Sequence, residues 1–295
     1  MNAYRSLFQL YRAFRHVRLL STAAGQIIPQ TPPQQQPPPT SLTSSFAMAN
    51  GANLHYYRSG KGKRALLFLH GGVGAGLLHF ESQLQSPALQ EKFDMIAVDL
   101  RGFGKSRPPE RKPSANFYHQ DADDVASLMD SLKINRYSVA GWCLGGSVAL
   151  ILAAMRAQCV EKLMVWGALP YVDQAFIDKT AAIEHVSTWK PATLRRLAKF
   201  YPIEVSQHLW STWIRGARVI LRERKGDICV NDLPEIKCPT FVLHGSDDTL
   251  IPGHNAEFIR RNICSPVRYA EFRGPHNFHF TSSDRFNATI AEFMH

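Results

Sequence analysis

Acidic residues are missing from the first 80 positions of this chain; the earliest is Glu81. Long apolar runs are missing too. The longest, such as 148–155, fall far short of the roughly 20 residues that cross a bilayer, so no membrane span is expected. Cysteine is sparse and odd in number, with five residues at 143, 159, 229, 238 and 264 and no Cys-x-x-Cys pair. That count argues against a disulfide framework and a cysteine zinc site, and fits a reducing compartment. No Walker A sequence and no RNA- or DNA-binding motif is present. No metal, organic cofactor or nucleic-acid partner is expected.

The 295 residues give room for one large α/β domain with an insertion, or for two small domains. The formal net charge is +10, and Arg5, Arg12, Arg15 and Arg18 contribute to it where no acid balances them. A loose cluster at Arg215, Arg218, Arg222, Arg224 and Lys225 reads as a solvated basic face. Wound as a helix, residues 1–28 set Arg5, Arg12 and Arg15 along one side, with Leu7, Leu10, Phe14 and Val17 roughly opposite. This is the pattern of a mitochondrial transit peptide; an unaddressed tail on a cytoplasmic protein is the alternative. Residues 29–45, with Gln34-Gln35-Gln36 and Pro37-Pro38-Pro39, read as a Pro/Gln-rich linker. The folded domain is expected over 46–295.

Within it, 47–58 reads as a hairpin turning at Asn50-Gly51. Short apolar runs without alternation follow at 65–69, 95–98, 139–140, 163–166, 240–243 and 267–272. Helical patterns separate them at 77–90, 119–132, 145–155, 252–262 and 283–294. The expected fold is therefore α/β, with a mostly parallel central sheet buried on both faces by helices. Residues 170–237 interrupt the alternation with a long helical stretch, read as a cap inserted between two strands. Its tryptophans, Trp189, Trp210 and Trp213, are read as packing residues rather than ligand contacts.

Gly141-Trp142-Cys143-Leu144-Gly145 has the form Gly-x-nucleophile-x-Gly. A β-prone run precedes it and a helical run follows it, the context a nucleophile elbow requires. Small flanking residues let strand and helix pass closely, and the helix start favours a thiolate and an oxyanion. A chance match around a buried cysteine is the bland alternative.

A nucleophile needs a base, and the base needs an orienting carboxylate. Asp248 follows the apolar run 240–243 and is preferred as that acid over Asp247. His276 follows a Gly274-Pro275 break after the last strand and is preferred as the base over His279. Leu144 and Gly72 are the expected oxyanion-hole residues, Gly72 lying in the loop His70-Gly71-Gly72-Val73-Gly74-Ala75-Gly76. That loop fails the strict Gly-x-Gly-x-x-Gly dinucleotide pattern. Asp99-Leu100-Arg101-Gly102 reads as a charged pair pinning a turn.

With these residues in place, the chain resembles the α/β-hydrolase superfamily over roughly 46–295. Within it, the chain is most similar to the valacyclovir hydrolase (biphenyl hydrolase-like) proteins. Carrying the resemblance are Asp99-x-Arg101-Gly102-x-Gly104-x-Ser106-Arg107-Pro108-Pro109, Gly141-Trp142-x-x-Gly145-Gly146, Trp166-Gly167-Ala168, His244-Gly245 with Asp248, and His276-Asn277. The resemblance implies an α/β-hydrolase fold with a helical cap, hydrolysis of α-amino-acid esters and a mitochondrial location. Two positions depart from it. The family's nucleophile is serine, here Cys143. The family's next residue is an aspartate taken to bind the substrate ammonium, here Leu144. Gly-x-Cys-Leu-Gly-Gly looks instead like the elbow of dienelactone hydrolases, which use a Cys-His-Asp triad.

The expectation is a hydrolase of small-molecule carboxylic esters, lactones or thioesters working through Cys143, His276 and Asp248 and an acyl-enzyme. A non-catalytic ligand-binding protein on the same fold, or an acyltransferase using the same residues, are the alternatives.

Overall fold

At Asn50-Gly51 the backbone takes positive φ twice, 46° and 74°, the left-handed pair that a tight two-residue hairpin turn demands. The turn joins β1 (Thr43–Ala49) to β2 (Ala52–Ser59), paired antiparallel from Thr43↔Arg58 to Ala49↔Ala52. The structure, a computed structural model, describes residues 42–295. The segment read as a transit peptide and most of the linker lie outside the described residues. β1 opens at Thr43, inside the stretch read as linker, because β2 offers its backbone a full ladder of partners.

Six further strands follow: β3 (Arg64–Leu69), β4 (Phe93–Val98), β5 (Tyr137–Trp142), β6 (Val160–Trp166), β7 (Thr240–Gly245) and β8 (Val267–Phe272). They form one eight-stranded sheet in the order β1-β2-β4-β3-β5-β6-β7-β8. Pairing is antiparallel at β1–β2 and β2–β4 and parallel across the rest. The chain leaves β3 toward β4 on one side and later returns to β5 on the other. The order therefore reverses between β3 and β5, and a crevice opens at their C-terminal ends. The loop after β3 begins at His70, and the loop after β5 is Cys143 itself.

Helices cover both faces. They are α1 (Gly76–Leu84), α2 (Pro87–Lys92), α3 (Phe117–Ser131), α4 (Leu144–Met155), α5 (Gln174–Ala182), α6 (Pro191–Leu197), α7 (Ile203–Glu223), α8 (Gly253–Asn262), α9 (Phe278–Thr281) and α10 (Ser283–Met294). Along β3, Leu67 and Leu69 enter one apolar layer, with Val125 of α3, Val148 of α4 and Ile259 of α8. Leu66 and Phe68 enter the other, with Phe80 of α1 and Phe286 and Ile290 of α10. Full burial of side chains such as Phe68 is worth about 1.5–3 kcal/mol each, which explains why these strands read as unbroken apolar runs. The helical pattern at 77–90 divides into α1 and α2, because Ser86 precedes a proline and takes an extended conformation before α2 starts.

α5, α6 and α7 lie between β6 and β7. Hydrogen bonds tie this segment to the sheet domain at several places. Tyr201 donates to Gly74 O at 2.6 Å, Trp213 Nε1 donates to Tyr118 Oη at 3.0 Å, and Arg196 donates to Leu78 O. Among the described residues no helix is long and apolar enough to cross a membrane.

Candidate active site

Cys143 sits between β5 and α4 with φ 56° and ψ −118°. For a residue with a Cβ this conformation is strained, and it persists only where the surroundings enforce it. They do so here through glycine. A Cβ on Gly141 would strike Gly145 O, and one on Gly145 would strike Leu69 O, so strand and helix approach as closely as their backbones allow. The Cys143 N–H donates to Trp166 O at 3.0 Å, and Cys143 O accepts from Gly146 N and Ser147 N. The side chain is 7% exposed and opens into a cavity of about 600 Å³.

His276 reaches the same cavity from the loop after β8. Its Nδ1 lies 2.6 Å from Asp248 Oδ2. Asp248 is anchored in turn, its Oδ1 accepting from the Leu250 and Ile251 N–H groups at 2.9 Å each. Burial penalises the Asp248 charge, but the hydrogen bond and charge of His276 and the two N–H donors outweigh it. The carboxyl is held below its usual range. Burial likewise opposes a charged His276, yet the Cys143 thiolate and the Asp248 carboxylate together push its pKa up to about 10. His276 Nε2 is buried, and among the described residues the Cys143 thiol is the group left to partner it. The ring fits because Gly167 has no side chain: a Cβ there would stand 2.5 Å from His276 Cε1. Trp142 steadies the loop, Nε1 donating to His276 O at 3.1 Å.

Leu144 opens α4, so its N–H is one of those at a helix start that lack an intrahelical acceptor. Gly72 lines the cavity, with open space where its Cβ would stand. Its neighbour Gly71 is wedged against Trp142 and Cys143, and Val73 carries φ 47°, an outlier for a β-branched residue. Strain thus clusters on both sides of the cavity floor.

The competing residues lie elsewhere. Asp247 is exposed. His279 is fully buried outside the cavity wall, with Nδ1 accepting from Trp166 Nε1 at 3.1 Å. Burial holds His79 and His279 well below the normal histidine pKa, and that of His70 is pushed down to about 4.

Two expectations need correction. Asp99 and Arg101 do not pair. Asp99 accepts from Gly76 N and Lys105 N and contacts His55 Nδ1, whereas Arg101 grips Asp124 through two 2.6 Å hydrogen bonds. Adjacency in sequence hid partners that the fold brings in from afar. Trp189, Trp210 and Trp213 do pack on one another, with centroids about 5 Å apart, but they also wall the cavity. Sequence reasoning missed Arg196, Lys190 and Phe280 in that wall.

Residues 64–201 match the family model described as the alpha/beta hydrolase fold. The chain is 36% identical to the human protein named serine hydrolase BPHL and 34% identical to its mouse counterpart. Each match covers 86% of this chain and 87% of the relative. Among solved structures, the enol-lactonase from Burkholderia xenovorans LB400 aligns with a TM-score of 0.67 at 24% identity. That alignment covers 84% of this chain and 99% of the other. At that identity it speaks for the fold alone.

Proposed function

The chain belongs to the α/β-hydrolase family, and from that premise we propose that it cleaves carboxylic ester, lactone or thioester bonds with Cys143 as the nucleophile. The observation that supports this most is the placement of His276 between the other two groups. Asp248 fixes its Nδ1, and the buried Nε2 is left to the Cys143 thiol at a shared cavity wall.

In the proposed cycle, the Cys143 proton resides on His276 Nε2 in a thiolate–imidazolium pair, and the thiolate attacks the carbonyl carbon. The oxyanion accepts hydrogen bonds from the Leu144 and Gly72 N–H groups. Collapse breaks the bond to the leaving group, which takes the proton from His276, and leaves an acyl-thioester. Water then attacks that thioester while His276 accepts its proton. Expulsion of the thiolate frees the acid and restores the thiolate–imidazolium pair.

Sulfur sets the preference for leaving groups. Thiolate leaves more readily than alkoxide, so with a simple alkyl ester the tetrahedral intermediate falls back to thiolate and intact ester. The expected substrates carry good leaving groups: enol lactones, aryl esters or thioesters. The test compares phenyl and ethyl esters of one acid on the wild-type protein and on Cys143→Ser. A clearly greater phenyl preference in the cysteine enzyme supports the reading, and equal leaving-group sensitivity in both proteins contradicts it. The Arg-rich leader and the family resemblance support a mitochondrial address as part of the same proposal.

A further inference from the structure

Cations line the cavity above Cys143, and among the described residues no aspartate or glutamate does. Lys190 and Arg196 supply them, and Arg196 is the better held. Its Nε and Nη2 both donate to Leu78 O, at 3.1 and 2.8 Å, and its guanidinium carbon lies 3.6 Å from the centre of the Phe280 ring. Those contacts fix the fork in place without neutralising it.

Other arginines tucked into this chain have carboxylates. Arg101 pairs with Asp124, and Arg111 with Asp121. Among the described residues Arg196 joins no ion pair. Burial lowers its pKa, and Glu81, the carboxylate whose field reaches it, forms no ion pair with it. A half-buried guanidinium without a counter-ion is costly unless a ligand supplies one. The fork geometry suits a carboxylate, which can accept two parallel N–H bonds.

We propose that Arg196 holds a carboxylate of the substrate, so that the substrates are half-esters, lactones or thioesters bearing a second, free acid group. This deepens the hydrolase reading above and rests on it. The indoles of Trp189, Trp210 and Trp213 would flank the apolar part of such a molecule, an aryl group or an unsaturated chain. A substrate ammonium, by contrast, would meet like charge. Leu144, next after Cys143 in the elbow, is 1% exposed within the core and supplies no charge to the cavity. The charge logic of the site is thus inverted relative to amino-acid esters.

Turnover of monophenyl adipate, methyl phenyl adipate and glycine phenyl ester supplies the first arm of the test. These are anionic, neutral and cationic phenyl esters. Wild-type kcat/KM is expected to favour the anionic over the neutral ester by about tenfold or more, with the cationic ester lowest. In Arg196→Gln that ratio collapses toward one, Arg196→Lys keeps part of it, and Lys190→Gln keeps most of it. Because each ratio is taken within one protein, general damage to the fold cancels. The second arm needs no turnover: 6-phenylhexanoate and its amide are titrated calorimetrically into Cys143→Ala and into Cys143→Ala/Arg196→Gln. Tighter binding of the acid, lost with Arg196, supports the anion site even if no ester is cleaved, in which case the hydrolase reading alone fails. Cleavage of all three esters without preference for the anion, or a preference that survives Arg196→Gln, overturns the proposal.

Discussion

Two histidine–aspartate pairs of nearly equal length occupy this fold. His276 Nδ1 lies 2.6 Å from Asp248, and His55 Nδ1 lies 2.8 Å from Asp99. What separates them is the opposite ring nitrogen. His55 Nε2 is taken by Ser44 Oγ at 2.7 Å, whereas His276 Nε2 is left to the Cys143 thiol at the wall of the cavity that Cys143 opens into. The aspartates differ as well. Asp248 accepts N–H groups from its own loop, while Asp99 collects Gly76 N and Lys105 N and so joins β2, the start of α1 and the loop after β4. The lesson is that such a pair does not by itself mark a site. Ser44, His55 and Asp99 have the chemical order of a hydrolytic triad, yet Ser44 is exposed on an edge strand, with no helix start behind it and outside the cavity wall. There the pair serves as a joint.

The sharpest way to break the comparison is to disable each aspartate in turn. Asp248→Asn is expected to lower kcat on a phenyl ester by about 10²–10⁴-fold, because His276 loses its orienting acceptor and the favoured tautomer. Stability should fall far less. Asp99→Ala is expected to do the reverse. Removing one member of a fully buried pair costs about 3–5 kcal/mol. The protein that remains folded should turn over within a few-fold of wild type. Denaturant melts and kinetics on both variants check this, and a large kcat loss from Asp99→Ala in fully folded protein would erase the distinction.

A smaller effect concerns pH. The pKa of His276 is raised from 6.5 to about 10, with burial opposing and the Cys143 and Asp248 charges favouring the proton. A base whose folded pKa exceeds its unfolded one adds stability that is complete below about pH 6.5 and is lost as the pH climbs through about 10. In Cys143→Ala the sulfur that helps hold the His276 proton is gone, so the ring should release its proton at lower pH. His79 and His279 act oppositely. Burial, and after it neighbouring positive charge, depresses both. What they contribute is present above pH 6.5 and is lost in acid. NMR titration of the ring signals in wild type and Cys143→Ala checks the shift, and identical His276 titrations in the two would contradict it.

Much of this was legible in the sequence because it is local. Gly141-x-Cys143-x-Gly145 announces a strand, a strained turn and a helix, since no other residue type fits where those backbones touch. Unbroken apolar runs announce strands covered on both faces. The Asn50-Gly51 turn is dictated by φ alone. What escaped depends on partners brought from a distance. Asp99 finds His55, 44 residues earlier, and Arg101 finds Asp124, 23 residues later. Arg196 faces Phe280 and Leu78, and nothing in its own helix signals that a cavity lies beside it. The tryptophans at 189, 210 and 213 were half legible: their spacing suits packing, but a packed indole can also form a wall, and only the fold shows which face is left open.

The most direct test of the central claim is to follow the protein's intact mass after mixing with a phenyl or p-nitrophenyl ester, and then to map the adduct by peptide mass. The expected result is one acyl group on Cys143, formed rapidly in wild type, slowly in His276→Ala and not at all in Cys143→Ala. Ester turnover with no acyl group on Cys143, or acylation at Ser44 instead, would show that the wrong histidine–aspartate pair has been assigned the chemistry.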